Sequence, residues 1–311
     1  MRILVTGASG LVGRALRGYS ENFKDYEFVF VGSKECDLRE RNETFELFKN
    51  TNPDSVIHLA ARVGGVKGNI DYVADFYSEN IQINTNVLDA SRVFGVKKVI
   101  SLLSTCVYPD NATYPLTEDQ IHNGPPHSSN FGYAYAKRML DVQSRAYRQQ
   151  YGCNFVTAIP NNLYGKWDNF DIENGHVIPS IVKKIYEANL TNSDVTLWGD
   201  GTPLREFTYS DDLAKILIFI LENYNEAYPI NIGNTKEVSI KYIAEKIAKI
   251  LDFKGKIIWD TSKPKGQQRK PSKNDVLLGL GWDKNKYKNL DLGLKETCDW
   301  FVSNYPNIRG I

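Results

Sequence analysis

The sequence predicts an α/β protein with a doubly wound parallel sheet. A glycine-rich loop directly follows the first apolar run, and apolar runs alternate with helix-length segments through the first half of the chain. Most of these runs are apolar at nearly every position, which is typical of parallel strands covered by helices on both faces. In such folds, ligands bind at the carboxyl ends of the strands.

The predicted elements follow in chain order. Strands are predicted over residues 3–6, 28–31, 55–60, 98–103 and 155–159. Helices are predicted over residues 11–19, 39–49, 71–93 and 133–151. After residue 163 the alternation breaks, and the later elements are a helix over 177–188, a hairpin beginning at 195–198, a helix over 240–251 and a strand over 256–259.

This pattern predicts two domains. We expect a Rossmann-type cofactor domain over residues 1–165 and a smaller α/β substrate domain over residues 166–311, with about 206–232 returning to the first. The 311 residues suffice for both.

Composition excludes several other classes of protein. Lys plus Arg number 38 and Asp plus Glu number 37, so a net charge of +1 argues against nucleic-acid binding but leaves room for a local anion site. No apolar stretch reaches the roughly 18 residues of a membrane span, and the first apolar run is too short for a signal peptide. The cysteines lack the spacing of a disulfide framework or a metal site, so we expect a cytoplasmic protein without a metal. They are Cys36, Cys106, Cys153 and Cys298.

The loop after the first strand has the spacing G-x-x-G-x-x-G. Gly7, Gly10 and Gly13 permit a tight turn and the close approach of a diphosphate to the start of the following helix. We therefore expect a dinucleotide in contact with the glycines and their neighbours. These neighbours are Ser9, Leu11, Val12 and Arg14.

The end of the second strand favours NADP(H) over NAD(H). NAD sites usually carry an acidic residue there, whereas this chain has Ser33 and Lys34, which suit a 2′-phosphate. Arg14 is placed to help from the loop. Asp37 lies farther on, where it either faces the adenine or forms the N-cap of the next helix.

A second motif predicts carbonyl reduction. Tyr133 and Lys137 form Y-x-x-x-K, one turn apart on a predicted helix, so both side chains share one face. We expect the Lys137 ammonium to lower the pKa of Tyr133 from its usual value of about 10 and to make the phenol a proton donor to a carbonyl oxygen. Ser104, at the end of the fourth strand, is placed to hydrogen-bond the same oxygen.

These motifs resemble those of the extended short-chain dehydrogenase/reductases. Within that family, the chain is similar to the branch that epimerises and reduces GDP-linked 4-keto-6-deoxyhexoses. The likeness covers nearly the whole chain and includes the segments 58–61, 63–65, 104–109, 133–137, 161–165, 168–170, 175–179 and 198–207.

The resemblance implies a role for each matching residue. Ser104, Tyr133 and Lys137 would perform the reduction, whereas Cys106 and His176 would perform epimerisations at C3 and C5. A C4 ketone acidifies both of those protons, a thiolate can remove one, and a histidine titrates near neutrality and can return it. Ala60 and Ala61 would contact the cofactor, as would Lys137.

The resemblance also implies a substrate and an assembly. Arg205 would bind the substrate diphosphate through its guanidinium fork. Asn162 and Lys184 would also contact the GDP-linked keto-sugar, as would Trp198 and Arg269, the latter in a family-like segment over residues 260–270. A homodimer is expected.

Two alternatives remain open at this stage. One is a reductase, with or without epimerase activity, on a related sugar such as a GDP-heptose, because a change at C5 alters few sequence signals. The other is a cofactor-sensing regulator, which the intact Ser104, Tyr133 and Lys137 set disfavours.

Overall fold

The computed structural model describes residues 1–173, 175–263 and 267–311. In these ranges the strands are β1 (Arg2–Thr6), β2 (Glu27–Val31), β3 (Ser55–His58), β4 (Lys98–Leu102), β5 (Phe155–Pro160), β6 (Asn162–Tyr164), β7 (Val195–Trp198), β8 (Leu204–Tyr209), β9 (Ile230–Ile232), β10 (Glu237–Ser239) and β11 (Ile257–Asp260). The α-helices are α1 (Leu11–Ser20), α2 (Arg41–Thr51), α3 (Val66–Asp71), α4 (Val73–Val93), α5 (Phe131–Tyr151), α6 (Val177–Leu190), α7 (Ser210–Asn223), α8 (Ile240–Ile250), α9 (Asp275–Gly279) and α10 (Leu290–Asn304).

Six strands form the main sheet, in the order β2-β1-β3-β4-β5-β9, and all their pairings are parallel. Strands β3, β4 and β5 are buried at every position, because helices cover both faces. The predicted doubly wound parallel sheet is confirmed. β2 and β3 lie on opposite sides of β1, so the strand order reverses between β1 and β3, which is where such sheets bind ligands.

Helices pack on both faces of this sheet. On one face, α1 and α7 contribute Leu16 and Leu217 to a common core. On the other face, α2, α4 and α5 contribute Phe48, Val87 and Leu140 to a second core. In the described part of the chain, no helix is long and apolar enough to cross a membrane.

A smaller unit follows β5. Strands β10, β8 and β6 form one sheet, and β11 and β7 form another. Helices α6, α8 and α10 pack against these strands through a third core, which includes Val182, Ile243 and Phe301. The chain leaves the small sheet at the end of β8 and returns to the main sheet, where α7 joins the first core and β9 pairs with β5.

The hairpin predicted to begin at residues 195–198 is wrong. β7 pairs in parallel with β11, whereas the next strand, β8, pairs with β6 and β10 in the other sheet. Gly201 has a φ of +73°, and a Cβ there would lie 2.7 Å from the Trp259 ring. The glycine turn therefore carries the chain closely past Trp259 into a different sheet, instead of folding it back on β7.

Candidate active site

The glycine loop connects β1 to α1 as the motif predicts. Gly7 has a φ of +69°, and a Cβ there would lie 2.6 Å from the Ala60 nitrogen, while one on Gly13 would lie 2.5 Å from the Ala8 Cα. A Cβ on Gly10 would meet only the Gly7 oxygen, at 3.4 Å. Gly10 is also the N-cap of α1 and provides no side-chain cap. The first turn of α1 therefore keeps N–H groups for an anionic ligand.

Charged side chains meet beyond the end of β2. Lys34 is exposed there, and it is Arg39 that lines the neighbouring cleft. Arg39 Nη2 donates to Asp37 Oδ2 at 2.6 Å, and Arg39 Nη1 lies 3.4 Å from Glu79 Oε2. This hydrogen bond and charge lower the pKa of Asp37. The alternative of Asp37 as a helix N-cap is wrong, because α2 begins at Arg41 and its N-cap is Glu40.

Arg14 bridges the glycine loop and the smaller unit. Its Nε donates to the Ser9 oxygen at 3.2 Å, and its guanidinium lies 4.5 Å from the centre of the Trp167 ring. This tryptophan follows β6 and packs on Trp300, with ring centres 4.6 Å apart. Both tryptophans line the cleft, and neither was predicted to do so.

A single cleft of about 1230 Å³ lies between the main sheet and the smaller unit. Its lining includes the following residues predicted for the cofactor: Gly7, Ser9, Gly10, Leu11, Val12, Gly13, Arg14, Asp37, Ala60, Ala61 and Lys137. It also includes Ser104, Tyr133, Cys106, His176, Asn162 and Arg205. The carboxyl ends of the strands thus bring together most residues that the motifs single out.

Four predicted residues lie outside this lining. They are Lys34, Lys184, Trp198 and Arg269. The Lys184 ammonium lies 6.0 Å from the centre of the Trp198 ring. Arg269 Nε donates to Glu237 at 2.8 Å and is exposed. Its neighbour Lys270 lines the cleft instead. Residues 264–266 of the same family-like segment lie outside the described residues.

Burial dominates the electrostatics of Tyr133 and Lys137. Lys137 is 3% exposed and donates from Nζ to the Leu102 oxygen at 2.7 Å. Burial lowers its pKa to about 8. The ammonium lies 5.9 Å from the centre of the Tyr133 ring. Burial, with a smaller effect of the charge on Cys106, raises the pKa of Tyr133, contrary to the expected lowering, because a buried site disfavours the charged phenolate. Tyr133 is thus held as the protonated phenol, the form that donates a proton.

Cys106 lies beside this pair. It falls in a short 3-10 helix, Thr105–Val107, whose N-cap is Ser104, and its backbone N–H donates to Ser104 Oγ at 3.4 Å. Burial raises the pKa of Cys106, while Ser104 and the charges of Lys270 and Lys137 act in the opposite direction. Burial lowers the pKa of Lys270 to about 8. Two lysines therefore favour the thiolate in a site whose burial favours the thiol.

His176 reaches the cleft from the smaller unit. It is the N-cap of α6, and its side chain is 55% exposed. Nδ1 lies 3.8 Å from Oδ1 of Asp168, which is 3% exposed. Desolvation lowers the pKa of His176, but the interaction with Asp168 outweighs it, so the net pKa lies above its usual value. His176 is thereby biased toward the imidazolium, a proton donor.

Two further side chains fix the smaller unit's face of the cleft. Asn162 Nδ2 donates to the backbone carbonyl oxygen of Glu206 at 2.9 Å. Arg205 Nη1 and Nη2 donate to the carbonyls of Leu204 and Gln267, both at 2.7 Å. Arg205 thereby holds the segment that carries Lys270 against β8, so two cations face one region of the cleft.

The site residues that sequence reasoning missed are Arg39, Trp167, Asp168, Lys270, Trp300 and Arg309. Trp300 lies on α10, and the others lie in loops that the fold brings to the cleft. Asp168 and Lys270 fall within family-like segments, but neither was predicted to have a role. Among the described residues, no cluster of three His, Cys, Asp or Glu side chains is arranged to hold a metal ion.

Comparison with known proteins decides the family. A sequence profile of the NAD dependent epimerase/dehydratase family matches residues 3–233, which include the glycine loop, Ser104, Tyr133 and Lys137. The chain belongs to this family. The resemblance inferred from the motifs is therefore confirmed.

Within the family, the chain is similar to the GDP-L-fucose synthase of Dictyostelium discoideum, with 48% identity over 99% of this chain and 97% of that protein. A solved structure of a GDP-L-fucose synthetase from Naegleria fowleri bound to NADP is 40% identical, with a TM-score of 0.93 over 99% of this chain and 96% of that one. A GDP-6-OMe-4-keto-L-xylo-heptose reductase from C. jejuni is 28% identical, with a TM-score of 0.90 over 97% and 98%.

Proposed function

We propose that the chain is an NADPH-dependent GDP-L-fucose synthase, which epimerises GDP-4-keto-6-deoxy-D-mannose at C3 and C5 and reduces it at C4. The observation that carries this proposal is that two sets of catalytic side chains line one cleft. Ser104, Tyr133 and Lys137 suit carbonyl reduction, and Cys106 and His176 suit proton transfer at carbon. The names of the fucose synthases that resemble the chain over nearly its whole length support it.

The cofactor loop fits NADP(H). Gly10 leaves the start of α1 open, and the uncapped N–H groups of that turn suit a diphosphate. Arg14 and Lys34 supply the cations for a 2′-phosphate, and Lys137 would also contact the cofactor ribose. When bound, NADPH supplies the hydride for C4 of the sugar.

Epimerisation requires a base and an acid on opposite faces of the sugar ring. Cys106 acts as the thiolate, which Lys270 and Lys137 stabilise against the burial that raises its pKa. The thiolate removes the proton from C3 or C5, and the C4 carbonyl takes up the negative charge. Ser104 and Tyr133 are placed to hydrogen-bond that oxygen. His176, as the imidazolium, returns a proton to the other face. Each inversion leaves a thiol and a neutral imidazole, which exchange protons with water before the next.

Reduction then uses the other set. Tyr133 donates its phenolic proton to the C4 oxygen, which becomes a hydroxyl, and Ser104 holds that oxygen in place. The Lys137 ammonium favours the resulting phenolate until the proton is replaced. The raised pKa of Tyr133 keeps it protonated before the reaction begins.

We also propose which part of the chain binds the cofactor and which part binds the substrate. Residues 1–165 form the NADP-binding domain and residues 166–311 the substrate domain, with about 206–232 returning to the first. Arg205 binds the GDP-sugar from the second domain and Asn162 from the end of the first. Lys184 and Trp198, with Arg269, act farther from the reacting ring. The four cysteines are free, which is consistent with a cytoplasmic location.

We propose that the protein is a homodimer. The outward stripe of α4 consists of Tyr77, Ser78, Ile81, Gln82 and Thr85, and that of α5 of Met139, Val142, Gln143 and Ala146. None of these side chains is charged, and Tyr77 and Val142 are each 42% exposed. An uncharged face on two adjacent helices suits a second copy of the same face around a two-fold axis.

The reductase alternative acts on a GDP-heptose. The C. jejuni heptose reductase shares the fold but only 28% identity, against 48% for the D. discoideum fucose synthase, so the fucose precursor is favoured. A regulatory role is disfavoured because Ser104, Tyr133 and Lys137 all line the cleft.

A substrate comparison tests the proposal. The purified protein is incubated with NADPH and, in separate reactions, GDP-4-keto-6-deoxy-D-mannose and a GDP-4-keto-heptose, and cofactor oxidation and products are measured. We expect faster oxidation with the deoxymannose and GDP-L-fucose as the product. Faster turnover of the heptose would favour the alternative, and oxidation of neither would refute both.

A further inference from the structure

A buried carboxylate lies behind His176. Asp168 is in the loop after β6, is 3% exposed, and its Oδ1 accepts the backbone N–H of Asn169 at 2.8 Å. The same oxygen lies 3.8 Å from Nδ1 of His176. The imidazole is therefore within ion-pair distance of a fixed acceptor, although its side chain is 55% exposed and has room to turn.

The second carboxylate oxygen of Asp168 is also buried. This oxygen, Oδ2, has no hydrogen-bond partner in the described part of the chain. Burying a carboxylate without satisfying both oxygens is costly, and a fold retains such a group where it has a task. A small rotation of the exposed imidazole would give this carboxylate the Nδ1–H donor that it lacks.

An opposing charge approaches from another element. The segment after α10 is fixed beside the Asp168 loop, because the Phe170 N–H donates to the Arg309 oxygen at 3.0 Å and Lys183 Nζ donates to the Gly310 oxygen at 3.0 Å. Arg309 lines the same cleft as His176. Among the described residues, the charges that act on His176 are Asp168, from the loop before α6, and Arg309, from the segment after α10.

We propose that Asp168 is a positioning residue for His176: it accepts the Nδ1–H, turns Nε2 toward the substrate ring and stabilises the imidazolium against Arg309. This inference rests on the proposed function of His176 as the acid in epimerisation. An imidazole with one nitrogen held by a carboxylate presents the other in a single orientation and protonation state, which proton delivery to one face of a sugar requires.

Removing each of the two charges should shift the pKa of His176 in opposite directions. Asp168 raises the pKa of His176, so Asp168→Asn, which keeps the shape but removes the charge, lowers it. Arg309 lowers it, so Arg309→Gln raises it. His176 of the Asp168→Asn protein therefore loses its proton at a lower pH than His176 of the wild type. In the Arg309→Gln protein, it loses the proton at a higher pH.

NMR titration of the full-length protein without substrate tests the inference directly. The chain has four histidines, and burial lowers the pKa of His58 to about 3. The His176→Asn protein assigns the His176 signal, because that signal is missing from its spectrum. We expect the wild-type His176 pKa to lie above the ordinary value of about 6.5, to fall in Asp168→Asn and to rise in Arg309→Gln. A wild-type value at or below 6.5, or an unchanged value in a folded Asp168→Asn protein, would overturn the inference.

Solvent deuterium exchange into the sugar provides the second readout. At pH 8, we expect Asp168→Asn to slow exchange by at least ~10-fold, a part of the 10²–10⁴ that a placed acid contributes, with an unchanged affinity for NADPH. Asp299→Asn, an exposed carboxylate on α10, is the control and should match the wild type. If the wild type exchanges no deuterium, the proposed function fails, whereas the titration still decides whether Asp168 controls His176.

Discussion

Tyr133, Lys137 and Cys106 surround the carboxyl end of β4, and burial is the largest influence on the pKa of each. Their residue types and spacing were readable from the sequence. Their protonation was not, because the direction of a pKa shift depends on what surrounds the group. The Lys137 ammonium donates a hydrogen bond to the Leu102 carbonyl. Burial of Tyr133 disfavours the phenolate, so Tyr133 remains an acid.

The Tyr133→Phe protein should reduce its substrate at least ~100-fold more slowly, because the phenol is the proposed proton donor. The phenyl ring preserves the edge contact with Phe76, whose centre is 6.3 Å away, so folding and NADPH affinity should change little. Single-turnover oxidation of NADPH measures the rate. A rate close to that of the wild type would show that another group is the acid.

The Lys34→Ala protein should bind NADPH roughly 5-fold more weakly and NADH unchanged. Lys34 is exposed, and an exposed ion pair with the 2′-phosphate is worth up to about 1 kcal/mol. KM values for the two cofactors test this, with Lys24→Ala, another exposed lysine ahead of β2, as the control. An equal loss with both cofactors would assign the 2′-phosphate to other groups, such as Arg14 and Arg39.

At the scale of elements, the turn between β1 and α1 carries two kinds of glycine. Gly13 is needed for packing, because a Cβ would lie 2.5 Å from the Ala8 Cα, whereas Gly10 has room for a Cβ on its own side. Gly10 also caps the helix that faces the cleft. The same motif therefore combines a residue that the fold requires with one that the cofactor requires.

Substitution by alanine should separate these roles. Gly13→Ala should lower the free energy of unfolding by about 1–3 kcal/mol through overpacking. Gly10→Ala should fold with nearly wild-type stability but bind NADPH at least several-fold more weakly, because its methyl group occupies space that a diphosphate needs. Urea denaturation and cofactor titration measure the two effects. Equal effects of both substitutions on stability, with cofactor affinity retained in Gly10→Ala, would contradict this division.

The first five strands of the main sheet were predictable because each is largely apolar and is separated from the next by a helical segment. The smaller unit was not, because its strands are short and their partners are distant in sequence. β7 alternates buried and exposed positions and precedes a glycine turn, which looks like a hairpin, yet its partner β11 lies about sixty residues later. The three-residue strands β6, β9 and β10 carry too little pattern to be recognised. Likewise, Asp168 and Trp167 occupy a loop without a periodic signal.

At the scale of the whole molecule, the proposed dimer can be tested through the uncharged stripe on α4 and α5. Val142→Glu should convert a dimer to a monomer in light scattering, because it places a charge at the centre of a neutral interface. Val302→Glu on α10, where the valine is 43% exposed, is the matched control and should leave the assembly unchanged. A monomeric wild type, or a dimer in both variants, would refute this interface.

Residues from the main sheet and from the smaller unit both line the cleft, and the proposed chemistry requires residues from both. Cys106 follows β4 of the main sheet, whereas His176 is the N-cap of α6 in the smaller unit. Neither part alone contains the base and the acid. Epimerisation is therefore the property that distinguishes this account from reduction alone.

Solvent exchange tests this central claim most directly. The protein is incubated in deuterated water with GDP-4-keto-6-deoxy-D-mannose and NADP⁺, and deuterium at C3 and C5 is followed by NMR. We predict exchange at both carbons by the wild type and by Cys153→Ser, a cysteine outside the cleft lining. Cys106→Ser and His176→Asn should lose exchange while still binding NADPH, because a serine hydroxyl is too weakly acidic to provide the base. Exchange at the wild-type rate in both variants, or no exchange in the wild type, would contradict the account.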